Sequence, residues 1–261
     1  MAKLSEVIIQ STNTGISRIK LNRSDTYNAL SSDMLKLLIK NFKEFNDNDN
    51  IKVIIIEGLG KGFSSGHNLK EIRSIKKKTN YKKLFNLCSE LMLEIVEGKK
   101  PVIAKVHGAA FAAGCQLVAS CDLALSSDDA IFATPGVNIG LFCSTPMVAV
   151  SRKVSRKRVM KMLLTGDSID AKHAKEISLI NDHYPIAELE NEVIKLAKKI
   201  ASKSKLIVKI GKKAFYKQLE MPLEKAYKYT SEVMTKNMMT LDANEGISSF
   251  LEKRNPNWKN K

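Results

Sequence analysis

Gly108-Ala109-Ala110-Phe111-Ala112-Ala113-Gly114-Cys115-Gln116-Leu117 decides the fold of this chain, together with Phe63-Ser64-Ser65-Gly66-His67-Asn68-Leu69. Each stretch follows an apolar, strand-like run and precedes a helical pattern. Small residues let backbone come close to a ligand or to other backbone, and the first N–H groups of a helix have no partner inside it. Two such turns side by side aim two donors at one carbonyl oxygen, the arrangement that stabilises an oxyanion. Packing a strand against a helix asks for the same small residues, so residue chemistry alone supports both readings.

Outward from these turns, short apolar runs at 7–9, 16–21, 53–57, 102–106 and 123–126 read as strands, and helical spacing separates them. Met34, Leu35, Leu38, Phe42 and Phe45 share one helical face behind Ser31 or Ser32 as N-cap, and the asparagine and aspartate run at 46–50 makes the following turn. A second helix is expected over 81–96, with Leu84, Leu87, Cys88, Leu91 and Ile95 buried and Gly98 and Pro101 as its stop. From about residue 187 strand signals vanish, and helices are expected over 189–202, 205–218 and 223–253, with a break near Thr240. Alternation of strand and helix gives an α/β class with an appended helical region.

The chain of 261 residues carries 43 Lys and Arg against 27 Asp and Glu, a formal net charge of +16. The lysines are dispersed and accompany many asparagines, which points to solvated faces and makes nucleic acid an unlikely partner. Apolar runs are strand-sized, so no membrane span is expected. Met1-Ala2-Lys3-Leu4-Ser5-Glu6 has neither an apolar signal core nor an acid-free, Arg-rich helix, and a cytoplasmic location is the expectation, or a mitochondrial one where a transit peptide has been removed. Cys88, Cys115, Cys121 and Cys143 lack metal or disulfide spacing and read as reduced, buried thiols.

Asn22-Arg23-Ser24-Asp25 with Asn28-Ala29-Leu30 resembles the NRPxxxNAL opening of the enoyl-CoA hydratase/isomerase (crotonase) family. The 63–69 stretch resembles that family's F-x-[AS]-G-x-D-[IL] loop, and the run from Gly108 its GxxxGGGxEL helix start. Cys121-Asp122-Leu123-Ala124, Leu164-Thr165-Gly166 with Ala171 and Ala174, and Gly246-Ile247 with Phe250 to Arg254 and Pro256 follow in the family's order. Six ordered motifs span essentially the whole chain. The resemblance implies a crotonase (ClpP-like) α/β spiral of ββα units, with an acyl-CoA-binding core over 1–195 and a helical trimerisation region over 196–261. It also implies a homotrimer or dimer of trimers, a coenzyme A thioester as substrate, and no cofactor or metal.

Carried over position by position, the backbone N–H groups of His67 and Ala113 match the family's oxyanion hole. Ser65 matches the carbonyl that meets the adenine amino group, and Lys70 and Lys253 the lysines near CoA phosphates. Arg23, Tyr27, Asn68, Leu69, Ala109 and Phe111 fall at further substrate-binding positions, and Phe250 where the last helix closes the acyl pocket. The two glutamates that remove and deliver protons in hydration correspond to Gln116 and Gly136, and the aspartate used by some isomerases to Ser144. An amide, a glycine and a neutral serine do not exchange protons near pH 7. Hydratase chemistry of the two-glutamate kind is therefore doubtful, and enolate chemistry such as decarboxylation or hydrolysis, or silent acyl-CoA binding, stands beside it. His67 and His107 are the histidines nearest these motifs, read as packing or hydrogen-bonding residues, and Cys115 and Cys143 lack an adjacent base.

Overall fold

The structure is a computed structural model that describes residues 6–12 and 14–261. The reading of the first five residues lies outside the described ones. In chain order the elements are β1 (Val7–Ser11), β2 (Ile16–Leu21), α1 (Ser32–Asp47), β3 (Val53–Gly58), α2 (Leu69–Ser74), α3 (Lys78–Val96), β4 (Val102–Val106), β5 (Ala109–Phe111), α4 (Ala113–Ser120), β6 (Leu123–Ser127) and β7 (Ile131–Ala133). There follow α5 (Pro146–Val150), α6 (Arg156–Thr165), β8 (Ile169–Asp170), α7 (Ala171–Glu176), β9 (Asp182–Tyr184), α8 (Ile186–Ala201), α9 (Lys205–Leu219), α10 (Leu223–Met238) and α11 (Leu241–Leu251).

The larger sheet runs β1-β2-β3-β4-β6-β9, antiparallel only at β1–β2, and the smaller runs β5-β7-β8. A parallel sheet covered on both faces needs strands apolar on both faces, and β3 is buried throughout. Its Ile54 and Ile56 join the core under α1, α3 and α4, whereas Val53 and Ile55 face α8. Charges replace apolar residues at the rim of that second face, where Glu57 pairs with Arg18 and Lys105, both at 2.9 Å, and Glu190 of α8 reaches the same two cations.

All five expected strands and both early helices are present. Ser31 is the N-cap of α1, accepting from Met34 N. Helix α3 starts three residues before the expected 81, and the short strands β5, β7, β8 and β9 were not signalled by periodicity. The last helices match expectation, with the break at Thr240. Helix α8 is continuous through residue 195, and the next helix begins at Lys205.

A buried ammonium fastens α9 to the core. Lys212 Nζ donates to Ile95 O, Lys100 O and Asp122 Oδ2 at 2.7–2.8 Å, and Tyr216 OH donates to Asp122 Oδ1 at 2.9 Å. Asp122 Oδ2 also accepts from Val102 N. Beyond this anchor the helical region leaves large apolar side chains in solvent, among them Leu223, Tyr227, Met239, Phe250 and Leu251.

Candidate functional site

The two glycine-bearing turns meet beyond the carboxyl ends of β3 and β4, and backbone bonds stitch them together. Ser64 N donates to Ala109 O at 3.0 Å and Phe111 N to Ser64 O at 2.9 Å; the Tyr27–Leu30 segment joins through Ser65 N to Tyr27 O and Leu30 N to Gly66 O. Glycines make this approach possible. A Cβ on Gly114 would stand 2.3 Å from Ser64 O, and one on Gly66, whose φ is +89°, would stand 2.9 Å from Phe111 O and 3.0 Å from Ala113 N. The loop ahead of α2 therefore lies against the first residue of α4.

Ala113 is the first helical residue of α4, and Ala112 before it is held at φ 48°, ψ −115°, a conformation costly for any residue with a Cβ. Ala112 N donates to Ala133 O. The main-chain N–H groups of His67 and Ala113 make no hydrogen bond to protein acceptors among the described residues. Two free donors on adjoining, over-determined turns are a ready site for a carbonyl or enolate oxygen.

His67 sits half-buried, edge-on to Phe85 with ring centroids 5.5 Å apart. Its Nδ1 lies 3.4 Å from Leu30 O, and its Nε2 is buried without a partner. Burial lowers its pKa, so the folded ring is neutral near pH 7. His107 is engaged elsewhere, its Nε2 2.8 Å from Gly60 O.

Neither glutamate position offers a carboxylate. Gln116 is buried on α4, and its Oε1 accepts a weak hydrogen bond from the Cys88 thiol at 3.8 Å. At Gly136 a Cβ would stand 2.8 Å from Leu141 O and 2.9 Å from Cys143 Sγ, so the space for a side chain is already filled. Ser144 is exposed, and its hydroxyl donates only to Phe142 O at 3.4 Å. Cys88 and Cys115 are pushed up to about 12 by burial, and Cys143 is raised too, against a Gly136 N–H that favours its thiolate.

The other expected binding residues divide. Tyr27 is 46% exposed beside the loop, and Ser65 Oγ donates to Thr26 O at 3.1 Å. Asn68 is the N-cap of α2, accepting from Lys70 N and Glu71 N, and Leu69 and Lys70 are exposed on that helix. Ala109 and Phe111 form β5 itself. Arg23 is tied to Glu6 at 2.6 Å and to Asp25 at 3.2 Å. Phe250 is 83% exposed and Lys253 lies just past α11, so one chain does not pack either over the turns.

Asn28 escaped assignment although its motif was noticed. At φ 53° and fully buried, it accepts from Arg23 N at 2.8 Å and donates to Leu59 O and Gly62 O at 2.8 and 2.9 Å. Asparagine is a common non-glycine residue in this left-handed region, and its amide ties its own turn, through Arg23 N, to the loop at 59–62 through two carbonyls. Ser64, whose hydroxyl donates to Asn28 O, completes the seam.

Among the described residues no three His, Cys, Asp or Glu side chains gather as a metal site, and no helix is long and apolar enough to cross a membrane. A sequence profile described as enoyl-CoA hydratase/isomerase matches residues 11–261. Enoyl-CoA hydratase domain-containing protein 3, mitochondrial, from Homo sapiens is 48% identical over 244 residues, covering 94% of this chain and 80% of the relative. The crystal structure of that human protein superposes with a TM-score of 0.95 at 46% identity, covering 97% of this chain and all of the other. An enoyl-CoA hydratase from Mycobacterium smegmatis gives 0.96 at 42% identity, covering 97% and 99% of the two chains. The human relative and its Rattus norvegicus and Xenopus laevis counterparts are all named mitochondrial, which overturns the cytoplasmic expectation. That expectation rested on an amino-terminal stretch outside the described residues.

Proposed function

Because the chain belongs to the enoyl-CoA hydratase/isomerase (crotonase) family, we propose that it binds an acyl-CoA thioester with the carbonyl oxygen held between the backbone N–H groups of His67 and Ala113. The observation that carries this reading is the pair of free donors on turns locked together by Ser64, Gly66 and Gly114. Negative charge that develops on the oxygen as an enolate forms meets preorganised dipoles, and each donor of this kind contributes about a hundred- to a thousandfold in rate.

Hydration of a conjugated thioester adds hydroxide at one carbon and a proton at the next, so it needs a base and an acid facing one water. Gln116 is engaged with Cys88, and Gly136 has no room for a carboxylate, which supports a chemistry that does not call on that pair. Decarboxylation is one chemistry that fits: as the bond to the departing carbon dioxide breaks, its electrons pass into the thioester and the enolate oxygen rests on the two donors. The new α-carbon then takes a proton from water. The neutral, unpartnered Nε2 of His67 supports this reading, because it can orient a polar group beside the enolate without an added charge. Ser65 carbonyl would meet the adenine and Lys70 the CoA phosphates, with Arg23, Tyr27, Asn68, Leu69, Ala109 and Phe111 around the ligand.

The exposed apolar faces of α9 to α11 support a homotrimer or a dimer of trimers, in which Phe250 and Lys253 would be covered. A monomer by light scattering would refute that assembly. For the chemistry, purified protein is assayed against a panel of acyl-CoAs and of acyl-CoAs that carry a carboxylate on the α-carbon. Binding without crotonyl-CoA hydration above background supports the reading, and efficient hydration overturns it.

A further inference from the structure

We propose that the basic ribbon formed by α2, residues 75–77 and the first turn and a half of α3 docks the acidic face of a protein that carries the acyl group as a thioester, an inference that rests on the thioester reading above. Between Leu69 and Lys83 stand Lys70, Arg73, Lys76, Lys77, Lys78, Lys82 and Lys83, all exposed, against one acid, Glu71. That acid is occupied: its two carboxylate oxygens accept from Ser32 N at 3.3 and 3.0 Å, closing the amino end of α1. Among the described residues none of the seven cations forms an ion pair. On the neighbouring face of α1 the pattern reverses, with Lys36, Lys40 and Lys43 each paired to a carboxylate. Dispersal of lysine therefore does not describe this segment.

The helix end makes the field stronger. Carboxylates ordinarily gather at a helix amino terminus, where the dipole is positive. Helix α3 has no acid in its first turn and begins from Lys77, which makes no side-chain cap. Cations are thus massed where they repel both one another and the helix, and among the described residues no carboxylate pairs with them. The ribbon starts directly after the donor turn at Asn68, so whatever it holds lies at the mouth of the site. A nucleotide's few phosphates answer the cations nearest Asn68. The remainder, continuing along α3, match an extended acidic surface such as the helix of an acidic carrier protein.

The test uses the full chain and the triple variant K76E/K77E/K82E, whose exposed side chains make no hydrogen bond or ion pair among the described residues. The probes are crotonyl-CoA, a crotonyl-loaded acidic acyl carrier protein, and that carrier without its arm. The wild type is expected to bind both carrier forms, with affinity falling as salt rises. The variant is expected to lose at least about tenfold for both, while its crotonyl-CoA affinity stays within about twofold. The proposal is overturned if the wild type binds neither carrier form, if the variant loses CoA and carrier affinity equally, or if single-stranded RNA or anionic phospholipid vesicles bind the ribbon more tightly. Failure of the wild type to bind crotonyl-CoA would sink the thioester reading instead, and the armless carrier still reports on the ribbon.

Discussion

Replacing Ala113 by proline removes one proposed donor without breaking a hydrogen bond of the fold. Ala113 is the first residue of α4, and its N–H has no acceptor in the protein, so no internal hydrogen bond is lost. Proline suits the first helical position, whereas Ala112, at φ 48° and ψ −115°, lies outside the extended region that a following proline favours, so the fold of the variant is measured beside its rate. The ring adds a methylene at the nitrogen, beside Gly66, where a Cβ would already stand 3.0 Å from Ala113 N. The ligand oxygen therefore loses a hydrogen bond and meets carbon in its place. Loss of one oxyanion donor is about a hundred- to a thousandfold in rate, or about 3–4 kcal/mol of transition-state stabilisation. The assay is the initial rate with the best thioester from the panel, alongside affinity for a non-reactive enolate-mimicking CoA analogue and the far-ultraviolet circular dichroism of the variant. A folded Ala113→Pro protein with unchanged rate and unchanged analogue affinity would refute the assignment.

Three further outcomes follow from the same geometry. Ala112→Gly relieves a left-handed conformation that costs about 1–3 kcal/mol and gives back about 0.4–1 kcal/mol in unfolded-chain entropy, so the melting temperature should rise by about 2–4 °C per kcal/mol gained; a lower value would contradict the strain. Lys212→Met should destabilise by about 3–5 kcal/mol in urea unfolding, because Asp122 keeps its burial but loses its cation, and an unchanged midpoint would show the anchor to be idle. His67 binds its proton less readily folded than unfolded, so the stability it protects is full above pH 6.5 and is lost as pH falls from there toward its lowered folded value. His67→Gln should flatten that acid limb of the urea midpoint, and an equally steep limb would remove His67 from the titration.

Much of this molecule is legible in its sequence because the signals are local and repeated. The run Val-Ile-Ile-Ile at 53–56, short and β-branched, reads as a strand, and the structure buries it throughout, while Ser31 with Met34, Leu35 and Leu38 writes both the cap and the buried face of α1. Short strands such as β8, with two residues, hold no full period and owe their pairing to the strand beside them. The donor turns were visible as glycine and alanine, but the reason for Gly114 is the Ser64 carbonyl 50 residues away in sequence, which no local pattern records. Gly136 could be read as a missing glutamate. That Cys143 and the Leu141 carbonyl already occupy its side-chain space is a tertiary fact. The role of Asn28 was hidden for the same reason, since two of its three partners, Leu59 and Gly62, lie in a loop more than 30 residues away. Net charge misled in the opposite direction: a whole-chain count averages the ribbon at 70–83 with well-paired lysines elsewhere.

The most direct measurement of the central claim is the infrared difference spectrum of an isotope-labelled thioester carbonyl when crotonyl-CoA binds. Two backbone donors on His67 and Ala113 polarise that bond, so the carbonyl stretch should move to lower frequency on binding to the wild type, move less on binding to Ala113→Pro, and be accompanied by no hydration. An unshifted carbonyl in a saturated complex, or a shift that survives Ala113→Pro unchanged, would contradict the account.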